Sequence, residues 1–221
     1  MTEELVFASY PVFKVRPGHL DDDRDLVAKE VATLFEEFGD RITVRGIYSI
    51  AGFKADADIM FWFVGNSADD VQDIVVRLRK TRLGRALEPR ESFLGLVRPA
   101  EFAKDHLPAF VKGEMPKKYM CVYPYVRTPE WYLLDPEERG RLLREHGLAG
   151  REFSDVLANT TSAFGLGDFE WILTFEADSP DRIVELLRRL RSTDARRYTQ
   201  VEIPFFTGIR KDIRATVEDL P

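Results

Sequence analysis

The sequence predicts an α+β protein assembled from two consecutive βαββαβ units with a mostly antiparallel sheet. Three observations carry that reading: an internal repeat, the same order of strand and helix periodicities in both halves, and a long connecting segment between them. With one half laid on the other, Ser67 falls on Ser179, Asp69 on Asp181, Val71 on Ile183, Ile74 on Leu186, Leu78 on Leu190, Arg79 on Arg191 and Thr81 on Thr193. Phe61 and Phe63 meet Leu173 and Phe175, and Phe93 meets Phe205. At the two beginnings an offset one residue longer puts Tyr10-Pro11 on Tyr123-Pro124 and Lys14 on Arg127. A repeat of this kind is sought first because it sets the whole architecture.

Each element follows from its local pattern. Leu5 to Val15 and Tyr119 to Arg127 alternate and are rich in β-formers, so both read as strands. A helix follows at about 21–38, with Val27, Val31, Leu34, Phe35 and Phe38 on one face and Gly39 as its stop. Its counterpart begins at Asp135, with Pro136 in the first helical position, Glu138 closing a capping box and Gly147 ending the helix. Strands at about 42–51 and 57–64 match strands at about 157–164 and 169–176. The second helices show the i, i+3, i+4, i+7 stripe of a core-facing surface: Val71, Ile74, Val75, Leu78 and Ile183, Leu186, Leu187, Leu190. Strands at about 91–98 and 201–209 close the halves. The division is 1–98 for the first half, 99–117 for the connection and 118–221 for the second. The connection is longer than usual, and long loops in compact domains tend to cover sites.

Composition narrows the function classes. With 221 residues, 44% hydrophobic, the chain can bury a sizeable core. Lys and Arg number 32 against 38 Asp and Glu, a net charge of −6. That balance argues against nucleic acid as a partner, since such binding needs a basic surface. The single cysteine, Cys121, excludes a disulfide framework and a cysteine-ligated zinc site. No basic, apolar leader opens the sequence, and no apolar run approaches the roughly 20 residues of a bilayer span. A soluble, cytoplasmic protein with no membrane partner is expected.

Only three histidines exist: His19, His106 and His146. His19 precedes three aspartates and reads as a solvated helix start. His106 lies in the connection, where a lone histidine is usually exposed. His146 shares a helix face with Leu142 and Leu143. That placement suits a packed core residue, a partner for the helix C-terminus, or a ligand. A single histidine facing a cavity suits a haem iron better than zinc, which wants three or four ligands. On the strand at 119–127, period two places Tyr119, Cys121, Tyr123, Tyr125 and Arg127 on one face. Tyr123 and Arg127 would then lie about 13 Å apart, a separation that fits a large flat ligand bearing carboxylates. The alternative is inherited strand architecture, because Tyr10 and Lys14 hold the same register in the first half. Trp131 and Trp171 read as packing residues. No phosphate loop, carboxylate cluster or G-x-S-x-G motif is present.

The stretches CVYPYVRTPEWYLLDPEERGRLLREHGLAGREF, GDFEWILTFEADSPDRIVELLRRLR and IPFFTG resemble the coproheme decarboxylase branch of the chlorite-dismutase-like family, closest to its actinobacterial type. The resemblance covers essentially the whole chain. It implies tandem ferredoxin-like halves forming a dimeric α+β barrel, a homopentamer, and transient contact with a coproporphyrin ferrochelatase. The implied reaction uses hydrogen peroxide to convert two propionates of Fe-coproporphyrin III (coproheme) into vinyl groups, giving haem b. Coproheme would be both substrate and redox cofactor.

Carried over by residue, the resemblance makes His146 the proximal iron ligand and Tyr123 the catalytic tyrosine. It makes His106 a distal base for peroxide and Arg127 a propionate anchor. Arg191, Ala195 and Arg196 fall near other propionate contacts, Trp131 and Trp171 border the pocket, and Asn159 and its neighbours occupy the stretch where chlorite-degrading relatives use a distal arginine. Between Arg151 and Arg182 this sequence has no arginine, which argues against chlorite dismutation. A haem peroxidase and a non-catalytic haem or coproheme carrier are the alternative activities. Glu185 is the candidate hydrogen-bond partner of His146.

Overall fold

The computed structural model describes residues 5–98 and 107–221. The chain is α+β and divides into two compact units, one formed by residues 1–97 with 206–221 and the other by residues 98–205.

In the first unit the elements are β1 (Phe7–Val15), α1 (Arg24–Phe38), β2 (Ile42–Ser49), β3 (Ile59–Gly65), α2 (Ala68–Leu78), α3 (Arg82–Ala86) and β4 (Leu87–Leu96). Strand β1 pairs with β3 and β4, and β2 pairs with β3, all antiparallel. This is the β4-β1-β3-β2 order of a ferredoxin-like sheet. Helix α1 starts where the Asp23 carboxylate accepts from Leu26 N at 2.9 Å. It ends at Gly39, whose φ of 50° few other residues tolerate. The predicted stripe is buried: Val27, Val31, Leu34 and Phe38 meet Phe61, Phe63, Ile74 and Leu78 in one core.

The second unit repeats the plan with β5 (Tyr119–Arg127), α4 (Pro129–Leu133), α5 (Pro136–Arg151), β6 (Leu157–Ser162), β7 (Trp171–Ala177), α6 (Pro180–Leu190) and the short β8 (Thr199–Val201). Its strands pair antiparallel in the order β8-β5-β7-β6. Asp135 caps α5 by accepting from Glu137 N at 2.8 Å. The expected capping box does not form, because the Glu138 carboxylate turns to the Arg141 guanidinium at 2.7 and 2.8 Å. Nor does the helix stop at Gly147. It runs on to Arg151, where Ala149 is buried and a Cβ at Gly150 would meet Leu190 of α6 at 3.8 Å. His146 is therefore inside the helix, away from the dipole of its C-terminus.

The strand expected at about 201–209 is broken in two. Pro204 lacks the N–H a ladder needs, and after it the chain joins the first unit as β9 (Phe206–Lys211) and α7 (Ile213–Glu218). Strand β9 pairs antiparallel with β2, Tyr48 opposite Arg210. The approach is close: a Cβ on Gly208 would sit 2.8 Å from Tyr48 Cβ. Val217 and Leu220 then enter the core beside α1.

The register also corrects the match between Tyr10 and Tyr123. Phe63 lies opposite Ser9, and its counterpart Phe175 lies opposite Cys121. The structural partner of Tyr123 is thus Pro11, and that of Tyr10 is Val122. A slip of one residue exchanges the faces of a strand. Tyr10 packs against Trp62, ring centroids 5.0 Å apart, on the face of its sheet opposite Phe61 and Phe63. Lys14 is neutralised by the buried Asp58 at 2.8 Å.

Candidate functional site

In the second unit, the face of β5 that carries Tyr119, Cys121, Tyr123 and Tyr125 packs with Ile183 and Leu186 of α6. Pairing extends each residue into a row across the sheet. Cys121 aligns with Phe175 and Ala158, Tyr123 with Leu173 and Thr160, and Tyr125 with Trp171 and Ser162. Ala158 and Thr160 are small and exposed, leaving this end of the face open.

Tyr123 is 2% exposed. Its ring stacks on Phe205 at 4.4 Å and 29° and lies 6.2 Å from Phe175. Burial pushes its phenol well above the usual range, with Cys121 and Glu202 adding to the effect, so the hydroxyl keeps its proton at any physiological pH. The neighbouring Tyr125 hydroxyl shares a 2.8 Å hydrogen bond with Thr199.

Arg127, at the end of β5, is held by three groups. Its guanidinium lies 4.0 Å over the Trp131 ring and 4.8 Å over Tyr125, and Nη1 donates to the Ala195 carbonyl at 3.0 Å. Its backbone N–H donates to Glu170, which also accepts from the Tyr132 hydroxyl. Among the described residues no carboxylate lies within ion-pair distance of this guanidinium, in contrast to Lys14 of the first unit. Trp131 is itself buried with Leu142 and Ala195, so its ring serves Arg127 as a platform.

His146 projects from α5 with Nδ1 3.2 Å from the Thr193 hydroxyl. Glu185, the expected partner, is instead engaged by Arg188 on the same helix. Burial, and then the nearby Arg127 charge, push the His146 imidazole down to about 4. The ring is neutral at neutral pH, the form that binds a metal. Among the described residues no group of three or more histidine, cysteine or carboxylate side chains is placed to hold a metal ion.

Beyond Thr193 a 3-10 turn spans Asp194–Tyr198 and carries Ala195 and Arg196. Arg191 and Arg196 converge on one carboxylate oxygen of Glu202, Arg191 Nη2 at 3.0 Å and Arg196 Nη1 in direct contact. Glu202 is only 14% exposed on its side chain, and its charge is felt by Tyr123, Tyr125 and His146. Arg191 also lies over the Phe205 ring that stacks on Tyr123.

The structure thus gathers Tyr123, Arg127, Trp131, His146, Arg191, Ala195 and Arg196 around one region of the second unit, with Trp171 one row away beside Phe164. Asn159 is not among them. It aligns with Thr174 and Val122 on the opposite face of the sheet, buried, where it donates to Glu176 and accepts from Phe110 N. His106 lies outside the described residues. Thr193 and Glu202 were not expected. Thr193 carried a faint signal, its match to Thr81 in the repeat; Glu202 carried none.

A family model described as chlorite dismutase matches residues 24–211. A protein named coproheme decarboxylase from Mycolicibacterium smegmatis is 50% identical over 223 aligned residues, covering 100% of this chain and 96% of that protein. Another of the same name, from Oceanobacillus iheyensis, is 31% identical over 192 residues, covering 80% of this chain and 75% of the other. Among solved structures, a chlorite dismutase variant from Candidatus Nitrospira defluvii superposes with a TM-score of 0.87 at 25% identity, over 98% of this chain and 95% of that one.

Proposed function

The chain belongs to the chlorite dismutase family, and from that premise we propose that it is a coproheme decarboxylase, converting coproheme to haem b with hydrogen peroxide. For each propionate the change is –CH2–CH2–COO⁻ to –CH=CH2 with release of carbon dioxide, one proton and two electrons. One peroxide takes up those electrons with two protons and leaves as two waters. The observation that carries the reading is the convergence of a neutral histidine, a protonated buried tyrosine and three arginines beside one open sheet face.

The residues fit the substrate. Arg191 and Arg196 already hold a carboxylate, that of Glu202, so their geometry accepts one. Arg127 offers a desolvated guanidinium with no carboxylate of its own among the described residues. His146 would hold the iron through one ring nitrogen, its neutral imidazole being the form that binds a metal. The bound iron porphyrin supplies the oxidising equivalents once peroxide has reacted with it. Tyr123 would give up its hydrogen as proton and electron together, because burial disfavours the phenolate; its radical would regain a hydrogen atom from the propionate β-carbon, and the second oxidising equivalent would take the remaining electron as the bond to the carboxylate breaks and carbon dioxide leaves. Ala195 contributes through its carbonyl, which orients Arg127. In this reading His106 is the distal base for peroxide, Trp131 and Trp171 border the porphyrin, and haem b is the product.

The same reading includes a homopentamer, a cytoplasmic location and substrate delivery by a ferrochelatase, all supported by the family alone. No helix among the described residues is long and apolar enough to cross a membrane.

The test is to load the protein with ferric coproporphyrin, titrate hydrogen peroxide and follow porphyrin mass. Two successive losses of a carboxyl group are expected. Tyr123→Phe should bind the porphyrin as well as the wild type and convert at most about one hundredth of it, the scale of losing a proton-transfer group. Binding without a mass change would overturn the reading in favour of a peroxidase or carrier, which dye oxidation would separate.

A further inference from the structure

The two halves place equivalent threonines at the end of equivalent helices. In the first unit the Thr81 hydroxyl donates to the Leu78 carbonyl at 2.7 Å, and its oxygen accepts from Gly84 N at 3.0 Å, capping α3. In the second unit Thr193 makes the same first bond, to the Leu190 carbonyl at 2.8 Å. There the likeness ends. The Thr193 hydroxyl caps no backbone N–H of the following 3-10 turn and instead lies 3.2 Å from His146 Nδ1.

A hydroxyl has one proton. With that proton committed to Leu190, the Thr193 oxygen can only accept from the imidazole, so Nδ1 must carry the ring proton. We propose that Thr193 is the positioning residue of His146: by accepting from Nδ1–H it fixes the ring's tautomer and angle and leaves the Nε2 lone pair free for the iron. The repeat has redirected an acceptor that elsewhere caps a helix. Thr193 is 4% exposed, so water does not replace it readily.

The choice of a neutral hydroxyl has a consequence for the iron. A carboxylate partner would pull the Nδ1 proton and give the ring imidazolate character, strengthening its donation to a bound metal. A threonine hydroxyl, being neutral, polarises the ring far less than a carboxylate would. His146 therefore orients the iron and donates weakly. The assignment rests on the coproheme reading for its metal, but the tautomer itself belongs to the free protein and can be read there.

The first measurement uses the metal-free protein labelled with nitrogen-15. Long-range proton–nitrogen spectra distinguish protonated from bare ring nitrogens, and with three histidines the signal lost in His146→Gln identifies the site. Wild type should show Nδ1 protonated and Nε2 bare. Thr193→Ser should keep that pattern, and Thr193→Val should move the proton to Nε2 in much of the population. A wild-type ring protonated at Nε2, or a Thr193→Val spectrum unchanged from wild type, overturns the proposal.

The second measurement is the iron–histidine stretching band of the reduced coproheme complex. The band should fall and broaden in Thr193→Val, return in Thr193→Ser and rise in Thr193→Asp; a position indifferent to all three overturns the proposal as well. A band that persists in His146→Ala would refute His146 as the iron ligand, and the free-protein spectra would still decide the role of Thr193.

Discussion

The depressed His146 titration makes a stability prediction whose size can be worked out. In the unfolded chain the imidazole titrates near 6.5, and in the folded protein burial and Arg127 bring it to about 4. The folded state therefore holds fewer protons than the unfolded state through this window, and stability must fall as the pH falls. The penalty is negligible above pH 7, grows by up to about 1.4 kcal/mol per pH unit and is complete below the folded value. Between pH 7 and pH 5 it amounts to about 2 kcal/mol for the ring alone.

The assay is urea unfolding of the metal-free protein at both pH values, for wild type and His146→Gln. Carboxylates that titrate in the same range are common to both proteins and cancel in the comparison. Wild type should lose about 2 kcal/mol more than the variant between pH 7 and pH 5. Equal losses would show that the ring is solvated or paired in the folded state, and the argument for a neutral ligand at acid pH would go with it. If the difference is found, the imidazole stays unprotonated well below the point where an ordinary histidine would release a metal.

Two further outcomes follow from the arginines. Glu202→Gln removes the carboxylate that Arg191 and Arg196 share, so a propionate no longer competes for them. Coproheme affinity, measured by spectral titration, should rise about tenfold, the worth of one charge-assisted hydrogen bond; an unchanged affinity would place propionate binding elsewhere. Trp131→Ala removes a buried ring and the platform beneath Arg127. Urea unfolding should show a loss of about 3–5 kcal/mol, and Trp131→Phe should restore most of it.

Those parts of the fold that depend on local periodicity were readable from the residues. The stripes Val27–Phe38, Val71–Leu78 and Ile183–Leu190 face cores as their spacing predicts, and the strand face holding Tyr123 is the one that alternation indicates. Errors arose where a local signal had two solutions. Tyr-Pro occurs in both halves, but the pairing registers differ from that match by one residue, and in a strand one residue decides the face. Gly147 reads as a helix stop until the packing of Ala149 and Gly150 is known. Asn159 is suggested as a site residue by the family resemblance, which places it in the stretch where chlorite-degrading relatives use an arginine, but the pleat turns it to the other side of the sheet. Glu202 could not be found from pattern at all, and Thr193 only through its match to Thr81 in the repeat. Each acts through partners brought near only by the packing of α5 on α6 and by the turn that follows, and a single polar residue in a loop has no period to betray it.

Strand β9 gives the protein an unusual order of completion during synthesis. The unit translated first lacks the partner of β2, and the Val217 and Leu220 contribution to its core, until residues 206–220 have emerged. The second unit, by contrast, is complete once Phe205 has left the ribosome. The half that is made first is therefore finished last, and a nascent chain arrested before residue 206 would present β2 as an open sheet edge, a known template for aggregation.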